Sequence, residues 1–153
     1  MGVCRNQEGQ EITMSRRYWL MKSDPETFGW DDLKAAPGRR TTWDGVRNYQ
    51  ARNYLRDDVQ RGDGVLFYHS GADKAVVGTC RVSKAGFPDP SDAVWTAVEL
   101  TLERAFARPV TLEAMRHEPG LRGMVLLKRG SRLSIQPVTE SEWETVLKLE
   151  QSA

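Results

Sequence analysis

The sequence predicts a single α+β domain, a mixed β-barrel with short helices packed around it, and three observations predict it. Short apolar runs of strand length recur between turn residues, as in Tyr18–Met21, Val65–Tyr68 and Ala75–Val82. Stretches with a helical period and usable caps stand among them, notably after Asn48 and Thr139. The length of 153 residues suits one hydrophobic core, and no repeat, low-complexity tract or linker follows Met14.

In chain order, residues 1–15 are expected to be a disordered extension, because MGVCRNQEGQEIT is polar and aperiodic. Residues 16–153 are then the folded domain. Tyr18-Trp19-Leu20-Met21 reads as a buried strand that stops at Lys22-Ser23-Asp24-Pro25, since Pro25 cannot donate to a ladder and restricts Asp24. Gly29–Ala36 reads as a short helix with acids in its first turn and Pro37-Gly38 after it. Arg39–Val46 reads as irregular.

From Asn48, Ala51, Tyr54, Leu55 and Val59 fall on one helical face, and the helix ends before Gly62-Asp63-Gly64. Val65–Tyr68 and Ala75–Val82 then form a hairpin, and Phe87-Pro88-Asp89-Pro90 is a loop. Trp95–Phe106 alternates in part, as a long strand with one wet face does. Thr111 caps a short helix to His117. Met124–Leu127 and Arg132–Ile135 are two further strand candidates. Thr139-Glu140-Ser141-Glu142 has capping-box spacing and opens a helix along Trp143, Val146, Leu147 and Leu149.

Composition excludes several functions. Lys and Arg total 22 against 21 Asp and Glu, a net charge of +1, so a nucleic-acid site would be local and bases would carry much of its affinity. Two Cys and two His without ligand spacing leave no zinc motif and no disulfide framework. No apolar stretch has the length of a membrane span and no export signal is visible, so a cytoplasmic location is expected, or a nuclear one in a eukaryote. There is no P-loop, GxGxxG or HExxH, and no cofactor or metal is expected.

Four polar clusters interrupt the apolar pattern at strand ends or loops: Lys22–Pro25, Trp43–Asn48, Tyr68–Ser70 and Arg132–Pro137. A closed barrel can bring such clusters to one rim, and a rim of this composition suits a flat heteroaromatic ligand. Trp43 offers a stacking face or is a core ring. Asn48 pairs with a base edge or caps a helix. Ser23, Ser70 and Gln136 can pair with a base edge; Arg47, Arg52 and Arg132 can take phosphate or stack, although on a helix face Arg52 is by default a solvated charge or a surface ion pair. His69 beside Ser70 has the residue types of a base and nucleophile, but adjacent strand residues point to opposite faces. Trp19, Trp95 and Trp143 sit in periodic apolar segments and are assigned to the core, with Trp30 open.

YWLMKSDP, WDGVRNYQARNYLR, GDGVLFYHS, the FPD loop and RLSIQP before a terminal helix occur in the order typical of the EVE domain, which this chain resembles from about Arg17 onward. Asp24 departs from the commoner glutamate. The resemblance implies a PUA-like fold akin to YTH, ASCH and SRA domains, and a non-catalytic module that takes a modified base of DNA or RNA, such as a methylated or hydroxymethylated one, flipped from its strand. By position it implies a base pocket of Ser23, Pro25, Trp43, Val46, Arg47, Asn48, His69, Ser70, Arg132, Ser134, Gln136 and Pro137, with Lys22 and Arg52 on phosphate. Two other readings remain open: an enzyme acting on RNA or a nucleotide at the same rim, with His69 or Asp44 as base, and a protein-interaction module.

Overall fold

The computed structural model describes residues 3–5, 11–13, 17–71, 73–128 and 133–151. Within the segment expected as an extension, β1 (Val3–Arg5) and β2 (Glu11–Thr13) pair antiparallel as a ribbon separate from the main sheet. The main body runs β3 (Tyr18–Ser23), α1 (Trp30–Ala35), β4 (Arg40–Trp43), α2 (Tyr49–Asn53), β5 (Gly64–His69), β6 (Ala75–Asp89), β7 (Asp92–Thr111), α3 (Leu112–Arg116), β8 (Ile135–Val138) and α4 (Glu140–Gln151). Six strands form one sheet in the order β4-β7-β6-β5-β3-β8. The β3–β5 pair is parallel and every other pair antiparallel, which makes the sheet mixed.

Two cores lie on the two faces of this sheet. Trp19, Met21, Val65, Phe67, Val98 and Leu100 pack with Leu33 of α1 and Ala51 of α2. Leu20, Leu66, Tyr68, Val76 and Val110 pack instead with Met115 of α3 and Trp143 and Val146 of α4. Adjacent residues of β3 and β5 therefore belong to opposite cores, which is why these segments read as unbroken apolar runs. The edge strands β4 and β8 are not hydrogen-bonded to each other, yet Trp43 of one and Ile135 of the other join the same core. The sheet stops short of closure, with both ends serving one apolar interior.

Several boundaries differ from the sequence reading. Arg40–Trp43 is a strand paired with Thr101–Val98 of β7, its two β-branched threonines suiting an edge position. Its outward residues are exposed, so no apolar run marked it. Met124–Leu127 is no strand; Val125–Leu127 makes a 3₁₀ turn whose Met124 and Leu126 seal the second core. The last strand begins at Ile135, with Leu133 and Ser134 outside it, and Pro137 lies within it opposite Trp19. Proline is tolerated there because β8 is an edge. β6 runs on through Phe87 and Pro88 to Asp89, its register shifting repeatedly against β7. Such bulges bend a ribbon and absorb prolines.

The helix after Asn48 forms as one α-turn, α2, followed by a π-helical turn over Tyr54–Asp58. That turn lies close on β6: a Cβ at Gly86 would stand 2.6 Å from the Leu55 carbonyl oxygen and 3.3 Å from Arg56 Cα. Backbone atoms cannot swing aside as a side chain can. Gly86→Ala is expected to cost about 1–3 kcal/mol, read as a fall in the denaturant midpoint. At the far end, Thr139 Oγ1 accepts the Glu142 N–H and Glu142 Oε1 accepts the Thr139 N–H, closing the capping box. Buried Glu150 binds Arg104 and the Ala107 N–H, fastening α4 to β7; the Ala107 bond chiefly holds its carboxyl below the ordinary value.

Candidate functional site

A cavity of about 760 Å³ opens between the ends of β3, β4 and the approach to β8. It lies at the seam where the sheet stops short of closure. One wall is Thr41–Trp43 and the loop Asp44–Asn48; the other is Lys22–Asp24 with Ser134, and Thr27 and Phe28 contribute from the turn before α1. The Lys22 N–H donates to the Ser134 carbonyl, which joins the two chain segments of that second wall. The volume lies within the roughly 300–1,000 Å³ common for small-ligand sites.

Trp43 is both core ring and pocket wall. It is 9% exposed, its indole meets Phe67 edge to face at 5.6 Å, and it borders the cavity. Ser23 Oγ donates to the Phe28 carbonyl, so its hydroxyl proton is engaged and its lone pairs remain for a ligand donor. Asn48 Oδ1 accepts the Ala51 N–H and caps α2, leaving the amide NH₂ as the end free to meet a ligand acceptor. Val46 is a buried floor residue.

The loop Asp44–Asn48 owes its shape to a residue the sequence reading gave no role. Asp89, at the end of β6, is 2% exposed. Its Oδ2 accepts the Gly45 N–H at 2.9 Å and Arg47 Nη1 at 3.1 Å, while Oδ1 accepts the Ser91 N–H and hydroxyl. These donors, the Ser91 hydroxyl foremost, hold the carboxyl far below the ordinary value although burial works the other way. Gly45 sits at φ +75, a left-handed turn that glycine takes without strain. Arg47 also donates to the Val46 carbonyl and to Ser91 Oγ, so its guanidinium is spent on bracing the loop. An Asp between two prolines, followed by Ser, was the available signal.

Arg47 and Arg52 meet in a second feature at the cavity's edge. Trp95, assigned to the core from its pattern, is only half-buried; Tyr49 lies against it at 4.9 Å and is 62% exposed. The Arg52 guanidinium covers both rings, at 4.9 Å from Tyr49 and 5.9 Å from Trp95, and Arg47 lies 5.4 Å from Trp95. Trp95 left the core because β7 carries it past α2, where the arginines cover its faces.

Other expected residues are placed elsewhere. His69 is buried beneath α1: Nε2 accepts the Trp30 N–H at 3.0 Å, which puts the ring proton on Nδ1, facing Asp73 at 3.1 Å. Gln136 is buried in β8 and its Nε2 donates to the Leu133 carbonyl. Neither these nor Pro25 and Pro137 border the cavity, while Ser70 borders a different one. Arg132 lies outside the described residues. Lys22 borders both cavities, and burial lowers the pKa of its ammonium. Among the described residues no group of His, Cys, Asp and Glu is arranged to hold a metal, and no helix is long and apolar enough to cross a membrane.

Comparison with known proteins bears on this geometry. The family profile described as EVE domain matches residues 17–149. Thymocyte nuclear protein 1 of Mus musculus is 36% identical over 169 residues, covering 88% of this chain and 74% of that protein. The crystal structure of human THYN1 protein in complex with 5-methylcytosine containing DNA superposes with a TM-score of 0.82 at 34% identity, over 90% of this chain and 99% of that one. An ASCH protein from Zymomonas mobilis shares the fold alone, with a TM-score of 0.56 at 10% identity over 88% of this chain and 96% of its own. The α+β, PUA-like architecture is thus established on both the strand arrangement and its structural relatives, and the chain belongs to the EVE domain family.

Proposed function

We propose that this chain is a non-catalytic reader that holds one modified base of a DNA strand, turned out of its stack, in the cavity beside Trp43. The observation that carries the reading is a cavity of about 760 Å³ walled by an indole and by hydrogen-bonding groups with one end already committed to the protein. Ser23 then presents an acceptor and Asn48 a donor, a fixed polarity suited to the edge of a heterocycle. The human relative's complex with 5-methylcytosine containing DNA makes methylated cytosine the first ligand to test.

The energetics set what such a site must supply. Turning a base out costs a few kcal/mol, less from a single strand. Stacking on an aromatic face returns about 1–3 kcal/mol, and a buried methyl group adds about 0.8 kcal/mol, a several-fold preference. A base bearing a hydroxyl would gain more if that group reached Ser23 or Asn48. His69 supports the non-catalytic reading: both ring nitrogens face protein groups, so it is not poised to take a substrate proton.

The test is a titration of short single- and double-stranded DNA and RNA, with plain or 5-methylated cytosine, followed by Trp fluorescence. A severalfold tighter complex with the methylated DNA strand is expected. Equal affinity for plain and methylated strands of both polymers would refute modified-base reading.

A further inference from the structure

We infer that the second cavity, on the α3 side of the sheet, is a binding site for a phosphate group, and that it takes a phosphate of the same strand whose base enters the first cavity. The second half of this inference rests on the proposed function; the first half does not.

This cavity has about 460 Å³ and is bordered by Lys22, Lys74, Arg116 and Lys128 together with Tyr68 and Ser70. No carboxylate is among its bordering residues. In a chain whose acids and bases nearly cancel, a cavity whose four charged bordering residues are all cations, set among Leu112, Leu126 and Leu127, is not a sampling of the average surface. The acids near in sequence have other partners: Asp73 faces His69, Glu113 lies 4.0 Å from His117, Asp24 borders the first cavity and accepts the Glu26 N–H, and Glu118 accepts the Gly120 N–H. Among the described residues none of the cations at this cavity is in an ion pair.

The arrangement is built by the fold. Lys22 and Tyr68 are direct partners in the parallel β3–β5 pair, so their side chains leave the sheet on one face, and the alternation returns Ser70 to that face. Their phenol, hydroxyl and ammonium groups are all donors to an oxyanion. The Ser70 N–H donates to the Ser23 carbonyl, holding that strand end in place. Opposite them, the Leu112 N–H donates to the Lys74 carbonyl and locks the start of α3 to the hairpin, which presents Arg116 one turn later. Burial raises the pKa of the Tyr68 phenol, so it stays protonated as a donor, and the nearby Arg116 charge only partly offsets this. The ligand chemistry is therefore a phosphate mono- or diester bound by charge-assisted hydrogen bonds.

Lys22 ties this cavity to the first, since it borders both. A strand with one base beside Trp43 and a neighbouring phosphate over Lys22 would span the two without leaving the protein surface. Division of labour follows: the first cavity selects the base, and the second adds affinity without regard to it.

The test combines two measurements on the full chain and on a Lys74→Gln/Arg116→Gln double variant, both positions being exposed. Inorganic phosphate and a nucleoside 5′-monophosphate are titrated by amide NMR, and methylated and plain oligonucleotides are titrated at several salt concentrations. Phosphate-induced shifts at Tyr68, Ser70 and Lys74 that vanish in the double variant are the expected result and do not depend on base reading. The variant should bind oligonucleotides about tenfold more weakly. Its salt slope should be shallower by about 0.7 per cation removed on single strands, with the methylated-to-plain ratio unchanged. Absent phosphate shifts would overturn the site. Shifts present but with an unchanged oligonucleotide salt slope would overturn its engagement by the strand, leaving a site for a free phosphate ester.

Discussion

Trp43→Leu is expected to weaken binding of a methylated strand by roughly ten- to a hundredfold, the loss of a base-stacking face. Leucine keeps an apolar side chain against Phe67 but presents no π surface. Because the indole is also part of the core, the substitution should lower stability by about 2–4 kcal/mol, and alanine would lower it further. Affinity must therefore be measured well below the variant's own Tm and against a matched control. Leu100→Ala supplies one: Leu100 is fully buried in the same core and does not border the cavity. It should lose about 2–5 kcal/mol of stability and keep its affinity. Native affinity in Trp43→Leu, or equal loss in both variants, would remove stacking from the account.

Asp89→Asn should cost about 2–4 kcal/mol and disorder the pocket loop, although it exchanges only one heavy atom. An amide has one acceptor where the carboxylate has two. Whichever way it is turned, its NH₂ faces an obligatory donor, either Gly45 and Arg47 or the Ser91 N–H. The expected readings are a lowered Tm and loss of the NMR dispersion of residues 44–48. The same carboxylate sets an acid limit. Its folded pKa lies below the unfolded value of about 3.8, so its contribution is full above that value and is lost as pH falls through it toward the folded one. The native chain should lose this contribution as pH falls below about 4, and Asp89→Asn should show a flatter profile there. A native-like Tm and profile in the variant would show that the loop holds itself.

Local signals in the sequence transferred well to the structure, and those needing register did not. The caps at Asn48, Thr111 and Thr139 form as their residue types require, because a cap is decided within three or four residues. β5 was legible because burial on both faces leaves an unbroken apolar run. β4 was not, since an edge strand with two threonines and an exposed arginine lacks any apolar alternation. Met124–Leu127 misled for the opposite reason: sealing a core from a 3₁₀ turn takes the same residues as a short strand. Within the pocket, the contiguous Trp43–Asn48 wall was readable as a cluster. The placement of His69 beneath α1 depends on depth within the sheet, which composition does not carry. Asp89 was invisible as a loop brace because its partners Gly45 and Arg47 lie 44 and 42 positions away.

The pairing of β8 with β3 has a consequence for the order in which the site can come into being during synthesis. Lys22 and Ser23 leave the ribosome early, and Ser134, whose carbonyl completes their wall, leaves more than a hundred residues later. The loop at 44–48 likewise waits for Asp89. A nascent chain can form the β5–β6 hairpin and the α2 cap from neighbours in sequence, but it carries no finished pocket until its last strand is in place. If the proposed reader function holds, binding at this pocket is expected of completed molecules only, and a chain interrupted before Ile135 is expected to fold some of its parts without binding a strand there.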